Sequence, residues 1–255
     1  MVWRGILQIC QLAVNLTTAL ALLLCGSFGA YALWDNEQVL TSVSDVQAEL
    51  LQWKPATLEE EASMPDNSEA FAQLRKINPD VCGWITMDGT GIDFPVLQGK
   101  NNLSYISRDV FGNFSLAGSI FLDSRDDPTF SQSYALLYGH HMADGKMFGD
   151  LDLYKEEAFF SENRTGQLIL PDRVYRLEVI ACLVVGASER KIFDPEHVRA
   201  DRNALVPFVR ENALGLREDL LEAGGKILAL STCSSEFTDA RTVVLARMQG
   251  AEQEE

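Results

Sequence analysis

From Gly5 to Trp34 the chain has no Asp, Glu, Lys, Arg or His, and the stretch is dense in Leu, Ala, Ile and Val. A helix crossing the hydrocarbon core of a bilayer needs roughly 20 apolar residues, so this run is long enough to span one. Arg4 stands just before it, and Asp35 and Glu37 follow it. The positive-inside tendency then places residues 1–4 in the cytoplasm, residues 5–34 in the membrane as a single-pass signal-anchor, and everything after Trp34 outside the cell. Trp3, Tyr31 and Trp34 fall at the two ends, where amphipathic aromatics sit at the membrane interface. The competing reading is a cleaved signal peptide, with Ala30-Tyr31-Ala32 as its cleavage site. The apolar core is longer than the ~7–15 residues of a signal h-region, which favours the anchor. Either way the rest of the chain is exported.

Charge restricts the partners. The net charge of −16 repels nucleic-acid phosphates and acidic lipid headgroups alike, so no nucleic-acid partner is expected and membrane attachment needs the apolar helix. Cysteine usage points to chemistry rather than a disulfide scaffold. Cys10 and Cys25 lie in the apolar run, which leaves Cys82, Cys182 and Cys233 outside, an odd number without close spacing.

Residues 35–79 read as a helical stalk and approach. Val39, Val43, Val46, Leu50 and Trp53 recur at helical spacing until Pro55 interrupts. Glu59-Glu60-Glu61 and Pro65-Asp66-Asn67 read as a solvated linker, and a short helix over 68–77 ends at Asn78-Pro79. Residues 80–250 then form one domain. Eight short apolar or β-branched runs predict strands at 83–87, 93–97, 119–122, 135–138, 167–170, 174–185, 226–230 and 242–248. Asp88-Gly89-Thr90-Gly91 and Pro171-Asp172 supply turns between neighbours. Eight such runs fit a closed barrel or a sandwich. One interruption, from Pro195 to about Ala223, has helical spacing and ends at Gly224-Gly225.

The strand Leu228-Ala229-Leu230-Ser231-Thr232-Cys233 delivers a cysteine at its C-terminal end, and Arg241 opens the next strand. Joined by a short polar loop, the two can pair as an antiparallel hairpin, with Cys233 and Arg241 as rim neighbours. A cation beside a cysteine favours the reactive thiolate. A cysteine nucleophile also needs a proton-transfer partner, and Tyr138-Gly139-His140-His141-Met142 offers one at another strand end. The third histidine, His197, starts the helical interruption without special context. Adjacent histidines seldom ligate one metal together, and no C-x-x-C or H-x-x-x-H spacing supports zinc. Neither a metal nor any other cofactor is expected.

This context resembles the sortases, and class B sortases in particular, from about Asn78 to Met248. Gly83-Trp84-Ile85 through Gly91-Ile92-Asp93-Phe94-Pro95-Val96 is similar to the family's opening strands, and Ala117-Gly118-Ser119-Ile120-Phe121-Leu122-Asp123 to its next strand. Tyr138-Gly139-His140 with Asp144-Gly145-Lys146-Met147-Phe148 resembles the histidine motif, and Leu230-Ser231-Thr232-Cys233 the cysteine motif. Arg241 stands where the family has its arginine. A helical insertion just before the cysteine strand resembles class B rather than class A.

The resemblance implies a mainly β fold: an eight-stranded sortase-type barrel with N-terminal helices and a helical insertion, preceded by one transmembrane helix. It also implies a cysteine transpeptidase of Gram-positive surface-protein anchoring. Its partners would be secreted proteins carrying a C-terminal sorting signal, together with an amine of the cell-wall precursor or of a pilin lysine. Cys233 would form a thioester acyl-enzyme, His140 would protonate the departing amine, and Arg241 would hydrogen-bond the substrate carbonyl or oxyanion. Ser231 and Thr232 would contact substrate. The family commonly has Asn after its catalytic histidine, where this chain has His141. His140 is assigned because it directly follows Tyr138-Gly139, and an exchange of roles stays open. An exported cysteine peptidase acting on cell-wall peptides is the alternative. Against it, no third residue in the sequence is placed to orient the histidine.

Overall fold

The computed structural model describes residues 2–58 and 66–250. Met1 and residues 59–65, which include most of the expected acidic linker, lie outside the described residues. The chain divides into two compact units, with the boundary between Ser42 and Val43. Helix α1 (Val2–Leu51) supplies its residues up to Ser42 to the first unit. Its most apolar stretch has a mean hydropathy of 1.8 with no part buried, so the helix is long and apolar enough to cross a membrane.

The second unit is built on a barrel. Strands β1 (Val81–Met87) and β2 (Asp93–Leu97) pair antiparallel around the turn that the sequence marks at 88–91. Gly89 takes φ 73° there, a left-handed conformation that favours glycine. β3 (Ile120–Leu122) runs parallel to β2, and β4 (Tyr134–Tyr138) antiparallel to β3. Two 3-10 turns (Ala143–Gly145 and Gly149–Lys155) and helix α3 (Glu157–Glu162) lead into β5 (Thr165–Ile169) and β6 (Val174–Gly186). After an excursion, β8 (Lys226–Cys233) pairs parallel to β4, and β9 (Ala240–Gly250) antiparallel to both β8 and β6. The order β5-β1-β2-β3-β4-β8-β9-β6 is closed by a β5–β6 pairing. Eight strands therefore make the expected closed barrel, each overlapping one of the eight predicted runs.

The barrel wall is buried on both sides, with the side-chain period of 2 sorting residues between them. Along β8, Leu228 and Leu230 join an interior cluster with Ile85, Phe94, Leu137, Leu168, Leu177 and Val244, while Ile227 and Ala229 face outward. The outer faces are covered in two places. One cover is the end of α1 with α2 (Ser68–Ile77), where Leu50, Phe71 and Leu74 pack with Val81, Trp84 and Leu97. Asn67 is also tied in: its side-chain oxygen accepts from the Ala56 amide at 2.7 Å, and its amide group donates to the Ala56 carbonyl at 3.0 Å. Lys54 forms an ion pair with Asp93 at 2.8 Å. The described residues at 43–58 and 66–78 thus belong to the same compact unit as the barrel.

The other cover is the insertion, which differs in detail from the reading of the sequence. It begins with α4 (Arg190–Phe193), ahead of Pro195, and continues through α5 (Pro195–Ala200), α6 (Arg202–Asn212) and α7 (Glu218–Ala223). Val198, Leu205, Phe208, Val209 and Leu221 pack against Ile180, Leu183, Ala229 and Leu245. Between α6 and α7 the chain is extended as β7 (Ala213–Leu216), where helix was expected. β6 is 13 residues long, and β5 pairs only its first part. β7 takes up the edge at 181–183 that β5 leaves free, and an unpaired edge overrides a weak helical pattern.

Candidate active site

Parallel pairing of β4 with β8 sets the site. Tyr138 is opposite Ser231, and Gly139 donates its amide to the Ser231 carbonyl at 3.1 Å. His140 lies two residues beyond Tyr138 and Cys233 two beyond Ser231, so matched register carries both to the same rim of the barrel. Gly139 is required between them: a Cβ there would come within 2.5 Å of Ile120 and 2.8 Å of the Phe148 ring. On the other side of β8, Cys233 is directly opposite Arg241 in the antiparallel ladder, and Thr232 opposite Thr242. The predicted hairpin and its rim pair are present as expected.

One cleft of about 500 Å³ is lined by all five residues singled out in the sequence: His140, Ser231, Thr232, Cys233 and Arg241. Cys233 is exposed, and His140 and Arg241 are half-buried. Arg241 donates from Nη1 to the Ala240 carbonyl at 2.9 Å, and the rest of its guanidinium has no acceptor among the described residues. The hydroxyls of Ser231 and Thr232 are buried and have no hydrogen-bond partner among the described residues. Such groups carry a desolvation cost until a partner arrives.

The wall opposite the cysteine strand was not read from the sequence. Asn102, Leu103 and Ile106 come from the irregular segment between β2 and β3, and Phe193 from the end of α4. Tyr138 stacks between Phe121 and Phe193, at centroid distances of 5.3 and 6.5 Å, and donates its hydroxyl to Asp123 at 3.1 Å. Burial, with the Asp123 charge beside it, pushes the Tyr138 phenol well above its ordinary pKa, so the group is a hydrogen-bond donor and not a base. Tyr105 pins the same segment, its hydroxyl donating to Asp80 at 2.7 Å.

The two histidines separate. The Nε2 of His140 lies 2.7 Å from the Ile106 carbonyl. A carbonyl only accepts, so Nε2 is the donor in this contact and Nδ1 is left for other partners. The sequence offered no residue to orient this ring, because the orienting group is a backbone oxygen. His141 does not line the cleft. It is exposed, and its Nε2 sits 3.0 Å from Asp152.

Asp152 is the centre of a polar brace around the rim. Thr242 donates to it at 2.7 Å and Lys155 at 2.8 Å, and Lys155 also reaches Ser234 at 3.0 Å and Glu236. Burial pushes the Asp152 carboxyl up, but hydrogen bonds from Lys155 and Thr242, with the Lys155 and His141 charges, outweigh it and hold its pKa below the ordinary value. Glu236 is lowered to about 2, chiefly by its hydrogen bond from Lys155. The brace thereby joins the loop after β4, the 3-10 turn at 149–155, the β8–β9 loop and β9.

A barrel that sets a cysteine, a histidine and an arginine around one cleft defines a class of thiol acyl-transfer enzyme. The family model described as "Sortase domain" matches residues 85–249. The curated sortase B proteins of Staphylococcus aureus and Listeria monocytogenes are 28% and 27% identical, over 70% and 85% of this chain and 74% and 87% of their own lengths. Among solved structures, a Streptococcus pyogenes class B sortase involved in pilus biogenesis is 35% identical, with a TM-score of 0.65 over 70% of this chain and 97% of that one. A Staphylococcus aureus sortase B–substrate complex gives a TM-score of 0.70 at 25% identity, over 86% of this chain and 99% of that one. The chain belongs to the sortase family, in its class B branch. It is accordingly a cysteine transpeptidase.

Proposed function

We propose that this chain is a membrane-anchored class B sortase that cuts a C-terminal sorting motif of secreted proteins and joins the new end to an amine. In this reading α1 crosses the membrane once, with the N-terminus in the cytoplasm and the barrel outside. The reading is supported by Arg4 ahead of the apolar run and Asp35 and Glu37 behind it.

The Cys233 thiolate attacks the scissile carbonyl, forming a C–S bond and an oxyanion. Arg241 donates to that oxygen; a positioned donor of this kind lowers a barrier by ~3–4 kcal/mol. The intermediate collapses with cleavage of the C–N bond, and protonated His140 gives its Nδ1 proton to the departing amine. A thioester remains on Cys233. An acceptor amine then attacks it, His140 takes a proton from the incoming nitrogen, and the thiolate leaves. The orphan hydroxyls of Ser231 and Thr232 take hydrogen-bond partners from the substrate backbone or side chains. The acceptor is an amine of the cell-wall precursor or a pilin lysine; the pilus role of the Streptococcus pyogenes relative supports the second.

The observation that carries this reading is the convergence of His140, Cys233 and Arg241 on one cleft. The test incubates the full chain, in detergent, with candidate sorting peptides and looks by mass spectrometry for a thioester on Cys233. Adduct that is discharged faster by hydroxylamine or a glycine peptide supports transfer. Discharge at a rate indifferent to added amine makes the protein a peptidase, and adduct formation in Cys233→Ala removes the mechanism.

A further inference from the structure

A second cavity, of about 550 Å³, shares no lining residue with the catalytic cleft. It lies between the 3-10 turn at 149–155, α3 and β7, and its polar lining includes Tyr154, Lys155, Arg164 and Arg217. Three features of these side chains are unexplained by the fold alone.

Arg217 is 7% exposed, and its partners are neutral. Nη1 donates to the Val179 carbonyl at 2.8 Å, Nη2 donates to the Phe160 carbonyl, and the guanidinium sits 4.1 Å from the Phe160 ring centroid. No carboxylate lies within ion-pair distance among the described residues. Burial, and repulsion from Arg164, hold its pKa below the ordinary arginine value, and the charge of Asp219, beyond ion-pair distance, offsets this only in part. Tyr154 is 1% exposed, yet its hydroxyl has no hydrogen-bond partner among the described residues. Burial pushes its pKa well up, so it remains a donor. Arg164 is exposed and forms no ion pair among the described residues. Lys155, although held by Asp152 and Glu236, adds its field. Glu157 is the lone acid lining the cavity, in a chain whose net charge is −16.

We propose that this cavity binds a single phosphate group, carried by a small molecule or a lipid headgroup, through Arg164, Arg217 and the Tyr154 hydroxyl. The Arg164 fork, the N–H groups Arg217 keeps beyond its two carbonyl bonds and a phenol together supply more donors than the two oxygens of a carboxylate can accept, and phosphate, with more oxygens, suits them better. The acidic remainder of the protein disfavours a long polyanion and leaves a single charged group as the fitting ligand. The volume exceeds what a bare ion needs and leaves room for an attached body.

The experiment follows thermal unfolding of the full chain in a neutral detergent while inorganic phosphate is titrated at constant ionic strength, with acetate as the carboxylate control. Glycerophosphoglycerol, a phosphodiester without a lipid tail, is titrated in parallel. We expect a saturable rise in Tm with phosphate and none with acetate. Arg164→Ala and Tyr154→Phe should each weaken the apparent affinity at least about tenfold, the scale of one lost charge-assisted hydrogen bond. Tyr154→Phe removes only an orphan oxygen, so without phosphate its Tm should not fall, which keeps the test clear of a folding defect. Tighter binding of the phosphodiester points to a headgroup source, and a preference for inorganic phosphate to a free ion or monoester. The proposal is overturned by the lack of a saturable shift, by an equal shift with acetate, or by unchanged affinity in both variants. None of these readouts depends on transpeptidation.

Discussion

Replacing Asp152 with alanine separates what holds the rim together from what performs the chemistry. Among the described residues Asp152 makes no hydrogen bond or ion pair with Cys233, His140 or Arg241, but it receives Thr242, Lys155 and His141 at 2.7, 2.8 and 3.0 Å. Thr242 is fully buried, so Asp152→Ala leaves its hydroxyl without an acceptor, a loss of ~1–3 kcal/mol. The Lys155 and His141 pairs are partly exposed and add ~0–1 kcal/mol each after screening. A total of about 1–5 kcal/mol corresponds to a fall in Tm of roughly 2–20 °C for a unit of this size. The consequence for activity is separate. With the brace cut, the loop after His140 and the loop after Cys233 lose their common tether, and a misplacement of ~1 Å in a reacting pair can cost ~10²-fold. We expect kcat/KM for a sorting peptide to fall by that order, mostly in kcat, when assayed well below the variant's Tm. Thr242→Val is the control. It removes the same buried hydrogen bond while leaving Asp152, Lys155 and Glu236 paired, so it should lower Tm and keep near wild-type kcat/KM. Wild-type turnover in Asp152→Ala, or an equal loss in Thr242→Val, would refute the positioning argument.

Cys233→Ala should abolish both the acyl adduct and turnover, read by mass spectrometry and peptide cleavage. His140→Ala and Arg241→Ala should lower kcat/KM by ~10²–10³-fold, Arg241 through loss of an oxyanion donor, with unchanged circular dichroism. Asp152 and Glu236 both have folded-state pKa values below their unfolded ones. Their stabilisation is therefore complete above about pH 5, beyond both unfolded values, and is lost as pH falls through the folded values, toward about 2 for Glu236. The Asp152→Asn/Glu236→Gln double variant should accordingly show a shallower drop in Tm between pH 5 and pH 2 than the wild type. Leu230→Ala, fully buried in the barrel interior, should cost ~2–5 kcal/mol, measured by urea unfolding.

What could be read in the sequence, and what could not, follows from where each feature keeps its information. β8 was legible because it is covered on both faces, which turns it into a continuous apolar run ending at Cys233. Arg241 was legible because a hairpin maps short sequence separation onto cross-strand register. β7 was misread as helix because Ala213–Leu216 pairs with an edge that exists only once β5 has stopped short on β6. Ile106 and Asp152 left no signal at all. The first acts through its backbone carbonyl, which any residue supplies, and the second sits in a 3-10 turn whose Asp150-Leu151-Asp152-Leu153 alternation reads as strand and says nothing of the rim it braces. The trio proposed to perform the chemistry thus sits at or just past strand ends, while the groups that brace it come from irregular segments between strands. The lining of the cleft divides in the same way: Ser231 and Thr232 come with the cysteine strand, but the facing wall of Asn102, Leu103, Ile106 and Phe193 comes from a loop and from the start of the insertion. Two chains can therefore share the catalytic motifs and still differ in which sorting motif they accept, because those walls can change without disturbing a single ladder hydrogen bond of the barrel.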